Sequence, residues 1–115
     1  MQTEVVTYQY EDKEYLGYVA YPEKDLAPLV LIAHTWAGRD SFVEERAKDL
    51  AELGYVAMAV DMYGDGKVGT STDENQSLMT PLVENRNLLK GVINAALNIG
   101  KSLKGVDANN TAAIG

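Results

Sequence analysis

The sequence contains no cysteine, which excludes disulfide bonds and thiolate metal sites within its 115 residues. It also lacks any cluster of Lys or Arg, and 10 basic residues stand against 17 acidic ones, for a net charge of −7. A negatively charged surface repels nucleic-acid phosphates, so we expect no nucleic-acid partner. No Gly-x-Gly-x-x-Gly motif follows a predicted strand, and we expect no cofactor.

Long apolar segments are missing too. The longest, residues 29–33, is far shorter than the roughly 20 residues that a membrane span needs. The first residues show neither the basic nor the apolar segment of a signal peptide. We therefore expect a cytoplasmic protein with no membrane partner.

What is present predicts an α/β fold. Residues 5–10 and 15–21 are rich in Val and Tyr and flank a polar stretch, which predicts an antiparallel hairpin. The apolar runs 29–33 and 55–60 predict strands buried on both faces of a sheet. A strand, a helix and a strand within about 30 residues predict a parallel pair joined by a right-handed crossover.

The helix between these strands is predicted to begin at a capping box formed by Ser41 and Glu44. Its apolar stripe is predicted to comprise Phe42, Ala47, Leu50 and Ala51, with Val43 as a further candidate. A glycine-rich loop is expected at 62–72, and a long helix at 81–99 with Pro81 in its first turn. The inward stripe of this helix is predicted to comprise Leu82, Leu89, Val92, Ile93, Ala96 and Leu97. Residues 111–115 predict the start of a third buried strand. Because no helix follows that strand to cover it, we expect the sheet to be incomplete in this chain.

The loop that follows the first buried strand is a candidate site. In open parallel sheets ligands bind at the carboxyl ends of the strands, and a backbone N–H there can form part of an oxyanion hole. We expect the Trp36 N–H to have this role, and the His34 imidazole to be bonded to backbone.

Asp61, at the end of the second buried strand, could be an acid, a ligand or a turn-former, and a turn is favoured. Residues 61–66 look like the opening of a calcium loop, but Tyr63 replaces the second ligand and Thr72 the bidentate Glu. We therefore expect no metal site. No Ser lies in a Gly-x-Ser-x-Gly elbow, and the chain has one His, so no catalytic triad can be assembled from it.

Taken together, these segments resemble the dienelactone hydrolase family. Residues 28–38 resemble its first parallel strand and oxyanion loop, 45–57 its next helix and strand, 59–64 the segment after that, and 112–115 the strand that leads into its nucleophile elbow. The resemblance covers essentially the whole chain. It implies a three-layer α/β-hydrolase sheet, with the N-terminal antiparallel hairpin followed by parallel strands and crossover helices.

The resemblance also implies a function. Residues 1–115 would be the N-terminal part of a single domain that ends just before the nucleophile elbow. The complete protein would cleave a carboxylic ester or lactone through a covalent acyl-enzyme, with a Cys-His-Asp or Ser triad beyond Gly115, and this part alone would be inactive. The Trp36 backbone N–H would be half of the oxyanion hole, and Thr35, Met62 and Tyr63 would line the substrate pocket.

Thr35 departs from the family pattern, because dienelactone hydrolases proper have a Glu at this position. This favours a broader esterase over an enzyme for dienelactone itself. The alternative from another class is a non-catalytic, doubly wound domain of the flavodoxin or receiver type that binds a ligand or a partner. The Tyr-rich hairpin before the first parallel strand argues against that alternative.

Overall fold

The computed structural model describes all 115 residues, Met1–Gly115. Five strands and three helices follow one another along the chain. They are β1 (Gln2–Tyr10), β2 (Lys13–Tyr21), β3 (Ala27–Ile32), α1 (Ser41–Glu52), β4 (Val56–Ala59), α2 (Thr72–Glu84), α3 (Arg86–Lys101) and β5 (Val106–Ile114).

The five strands form one mixed sheet in the order β1-β2-β4-β3-β5. Strands β1 and β2 form the predicted antiparallel hairpin, and β2 also pairs antiparallel with β4. Strand β3 pairs in parallel with β4 on one side and with β5 on the other. Because β3 and β4 lie inside the sheet and are covered on both faces, their sequences are almost entirely apolar.

Helices cover both faces of this sheet, which confirms the three-layer α/β prediction. Helix α1 packs on one face through its buried residues Val43, Ala47 and Ala51. Helix α3 packs on the other through Val92 and Ala96. Small residues on both helices let the helix axes approach the sheet closely, while each fully buried Val contributes about 1.5–3 kcal/mol of transfer free energy.

The predicted start of α1 is wrong in detail. Asp40, not Ser41, is the N-cap, and its carboxylate accepts from the Val43 N–H. Glu44 does not complete a capping box, because its carboxylate pairs with the Arg39 guanidinium at 2.8 Å. Phe42, predicted to face the core, is 62% exposed, since the helix turns Val43 inward instead.

The single long helix predicted from Pro81 is also wrong. Two helices occupy this region, and Pro81 lies inside α2. The Ser71 hydroxyl caps α2 by accepting from the Glu74 N–H, and the Asn85 side chain caps α3 by accepting from the Leu88 N–H. Pro81 removes one backbone hydrogen bond from α2, because proline has no N–H, and the helix ends three residues later at Glu84.

Strand β5 begins at Val106, earlier than the predicted Thr111, and its register against β3 shifts between Pro28 and Leu29. Because it lies at the edge of the sheet, residues 108–114 are exposed, and the prediction of a third buried strand is wrong for this chain. None of the helices has the length and hydropathy that a membrane crossing requires.

Candidate active site

The loops after β3 and β4 meet at the carboxyl end of the parallel strands. The Gly69 N–H donates to the Ala37 carbonyl at 2.8 Å, and Gly38 and Val68 form an isolated bridge. Gly38 has a φ of +101°, and a Cβ atom there would lie 2.5 Å from the Lys67 carbonyl oxygen. Glycine is therefore required where the two loops cross.

Asp61 organises the loop after β4. Its side chain is fully buried, and its carboxylate accepts four backbone N–H groups. One oxygen accepts from Tyr63 at 3.0 Å and Gly64 at 2.9 Å, and the other from Leu16 at 2.9 Å and Gly66 at 2.8 Å. The turn-forming interpretation of Asp61 is confirmed. No cluster of three or more His, Cys, Asp or Glu side chains is arranged to hold a metal ion.

Tyr8 holds the backbone of Asp61 from the N-terminal hairpin. Its hydroxyl accepts from the Asp61 N–H at 2.8 Å and donates to the Asp61 carbonyl at 2.7 Å. Burial, assisted by the nearby Asp61 charge, raises the pKa of Tyr8 far above its usual value. Tyr8 therefore stays neutral and keeps both hydrogen bonds.

The His34 imidazole joins the two loops. Its Nε2 atom lies 3.1 Å from the Met62 N–H and must accept from it, so the proton of the neutral ring is on Nδ1. Nδ1 then donates to the Thr35 carbonyl at 2.6 Å. Burial lowers the pKa of His34 below its usual value, which favours this neutral form. The expected backbone-bonded role is confirmed.

These contacts fix the peptide between Thr35 and Trp36. The Thr35 carbonyl accepts from His34 and also from the Gly38 N–H at 3.1 Å. Every peptide bond in the chain is trans, so the Trp36 N–H points away from this carbonyl. The Trp36 N–H donates to no protein acceptor, while the Trp36 carbonyl accepts from the Tyr63 hydroxyl at 2.7 Å. The result is a free donor on a loop held from several sides.

A mainly apolar cavity of about 250 Å³ is lined in part by Trp36, the residue that carries this donor. The four residues predicted for the site line it together: Thr35, Trp36, Met62 and Tyr63. The remaining lining residues are Ala33, His34, Met79, Leu82, Val83, Leu89 and Ile93. A larger hollow of about 410 Å³, which includes Pro22 and Gly54, lies at the amino ends of β3 and β4. The smaller cavity is the candidate site because it lies at the carboxyl ends.

Sequence reasoning missed the contribution of α2. Met79 and Val83 of α2 line the cavity, yet residues 71–77 are so polar that their helix was not predicted. The spacing of Ser71 and Glu74 is that of a capping box and would have indicated a helix start. Leu82, Leu89 and Ile93 were predicted on the inward stripe of the long helix but not as cavity residues.

The fold is that of the α/β hydrolases: an antiparallel hairpin continues into a parallel sheet covered on both faces, with a free backbone donor after β3. The chain belongs to the dienelactone hydrolase family, whose model matches residues 16–115. No curated protein matches the sequence.

Solved structures agree with this assignment. A dienelactone hydrolase-like promiscuous phosphotriesterase from metagenomic libraries is 28% identical, with a TM-score of 0.93 over 99% of this chain. A candidate dienelactone hydrolase from Klebsiella pneumoniae shares the fold at 18% identity and a TM-score of 0.76 over 97% of this chain. In both cases the chain spans about half of the matched protein, 48% of its length.

Proposed function

We propose that this chain is the N-terminal part of a hydrolase domain that cleaves a carboxylic ester or a lactone. The observation that carries the proposal is the Trp36 backbone N–H, which has no protein acceptor and lies on a loop fixed by His34, Gly38 and Tyr63. A donor held in advance where charge develops stabilises a transition state without further reorganisation. Family membership and the 48% coverage of the matched structures support the proposal.

In the proposed reaction, a Cys or Ser nucleophile from sequence beyond Gly115 attacks the carbonyl carbon of the ester. The carbonyl oxygen becomes negatively charged and accepts a hydrogen bond from the Trp36 backbone N–H. The C–O bond to the alcohol then breaks, the proton given up by the nucleophile passes to the departing alcohol oxygen, and an acyl-enzyme remains. Water hydrolyses the acyl-enzyme and restores the nucleophile. Thr35, Met62 and Tyr63 hold the substrate in the cavity, and no cofactor takes part.

Replacing Trp36 by proline tests the donor, because proline has no backbone N–H. The matched variant Trp36→Leu removes the indole but keeps the N–H. In the protein expressed from its complete reading frame, kcat for p-nitrophenyl butyrate is expected to be about 10²–10³ lower in Trp36→Pro than in Trp36→Leu. Circular dichroism must show that both variants are folded. Equal kcat values in two folded variants would remove Trp36 from the mechanism.

The location of the nucleophile is tested by comparing two proteins. Residues 1–115 alone are expected not to hydrolyse p-nitrophenyl butyrate. The product of the complete reading frame is expected to release a burst of p-nitrophenol as the acyl-enzyme forms. Turnover by residues 1–115 would refute the placement of the nucleophile. An intact reading frame without a Cys or Ser in an elbow would favour a binding protein on a hydrolase scaffold.

A phosphotriester is a second candidate substrate. The observation in its favour is the metagenomic phosphotriesterase, which superposes on 99% of this chain. Phosphotriesters are uncharged and also place negative charge on an oxygen during attack, so the same donor could serve. Hydrolysis of diethyl 4-nitrophenyl phosphate by the complete protein, lost in Trp36→Pro, is the expected result for this substrate class.

A further inference from the structure

The cavity beside Trp36 has a composition that limits what it can accept. None of its eleven lining residues is Asp, Glu, Lys or Arg. Its walls come mainly from apolar side chains of α2, α3 and the loop after β4, among them Met62, Met79, Leu82, Leu89 and Ile93. The chain as a whole carries a net charge of −7, which adds a field that opposes anions.

The polar groups of the cavity are all neutral, and the Thr35 hydroxyl and the Trp36 indole N–H make no hydrogen bond within the chain. The Tyr63 hydroxyl donates to the Trp36 carbonyl, and both nitrogens of His34 are hydrogen-bonded in the neutral ring. His34 therefore offers no positive charge and no free donor. The Trp36 backbone N–H is free, but the proposed reaction uses it for the carbonyl oxygen. A carboxylate placed among these side chains would lose water and find no cation with which to pair.

We infer that the part of the site built by this chain selects an uncharged, apolar acyl or alkyl group and rejects a group that ends in a carboxylate. This inference names the substrate class of the proposed hydrolase and rests on that function. The part of the cavity that this chain builds has a volume of about 250 Å³. The two methionines, with their flexible side chains, suit acyl groups of varied shape.

Binding can be measured without turnover because Trp36 is the only tryptophan of the chain and lies at the cavity. The 115-residue chain is titrated with hexanamide and with hexanoate, which have the same number of heavy atoms and differ in charge. Hexanamide is expected to change the Trp36 fluorescence with a Kd about 10–100 times lower than that of hexanoate. Equal affinity, tighter binding of hexanoate, or no response to either ligand would overturn the inference.

A charge-introducing variant gives a second test. Leu82→Lys places a cation at the cavity and is expected to lower the Kd of hexanoate at least about ten-fold. Leu26→Lys, at an exposed position outside the cavity, adds the same charge as a matched control and is expected to leave the ratio of the two affinities unchanged. An equal gain in hexanoate binding in both variants would show that net charge, and not the cavity, sets the preference.

Hydrolysis by the complete protein separates this inference from the proposed function. The substrates are p-nitrophenyl hexanoate and mono-p-nitrophenyl adipate, which differ in a terminal methyl or carboxylate. The expected kcat/KM is about 10–100 times higher for the hexanoate ester. Equal values for both esters would overturn the substrate class and leave the hydrolase proposal standing. Hydrolysis of neither ester, with the fluorescence preference intact, would overturn the hydrolase proposal alone.

Discussion

The buried Asp61 carboxylate should be one of the groups on which the stability of this fold depends most. In Asp61→Asn, an NH₂ group replaces one of the two oxygens that each accept two backbone N–H groups. An NH₂ group cannot accept, so two of the four hydrogen bonds are lost. Each hydrogen bond to a charged group contributes about 1.5–3 kcal/mol, so the free energy of unfolding should fall by about 3–6 kcal/mol.

Urea denaturation followed by circular dichroism measures this loss. Asp65→Asn is the matched control, because it removes the same charge from the same loop at an exposed side chain. Asp65 has a φ of 53°, a conformation that Asn also tolerates, so its free energy of unfolding should change by less than about 0.5 kcal/mol. A loss below about 1 kcal/mol in Asp61→Asn would show that the carboxylate does not hold the loop as described.

Three further predictions concern the groups around the same loops. Tyr8→Phe leaves the Asp61 N–H and carbonyl without partners and should lower the free energy of unfolding, measured in urea, by about 2–5 kcal/mol. Tyr10→Phe is the control and should have a far smaller effect, because the Tyr10 hydroxyl makes no hydrogen bond. The folded state lowers the pKa of the only His, so the unfolded chain takes up a proton first as pH falls. The free energy of unfolding should therefore decline below about pH 6.5, by at most about 1.4 kcal/mol per pH unit. If a His34→Gln variant shows the same decline between pH 7.5 and 5.5, the decline comes from carboxylates instead. Tyr63→Phe removes one hydrogen bond to the Trp36 carbonyl and should lower kcat of the complete protein about ten-fold with little change in KM; a change confined to KM would contradict a positioning role for the hydroxyl.

The sheet could be predicted from the sequence because its signals are local. A strand buried on both faces needs a continuous apolar run, and residues 29–33 and 55–60 provide one each. The site loops were also placed correctly at the strand ends, since Thr35 and Met62 follow β3 and β4 closely in the chain.

The structural features that could not be predicted depend on contacts distant in sequence or on a choice between neighbouring residues that could each be the N-cap. Asp40 and Ser41 are both good N-caps, and no local sequence pattern shows that Glu44 pairs with Arg39 instead of completing a capping box. Pro81 suits a first helical turn in isolation, but Asn85 begins a second helix and places Pro81 near the end of the first. The four donors to Asp61 include Leu16 of the hairpin, 45 positions away, which no local pattern reveals.

The strand order also has a consequence for the sequence of folding events. The β1–β2 hairpin is local and can close within microseconds. Strand β3 lies between β4 and β5, which both come later in the chain, so its pairing needs contacts that are more distant in sequence and form more slowly. Tyr8 meets Asp61 across 53 positions, after the hairpin has docked beside β4. Residues 1–15 lie outside the segment matched by the family model, yet the loop beside the cavity reaches its final hydrogen-bonded form only when they arrive.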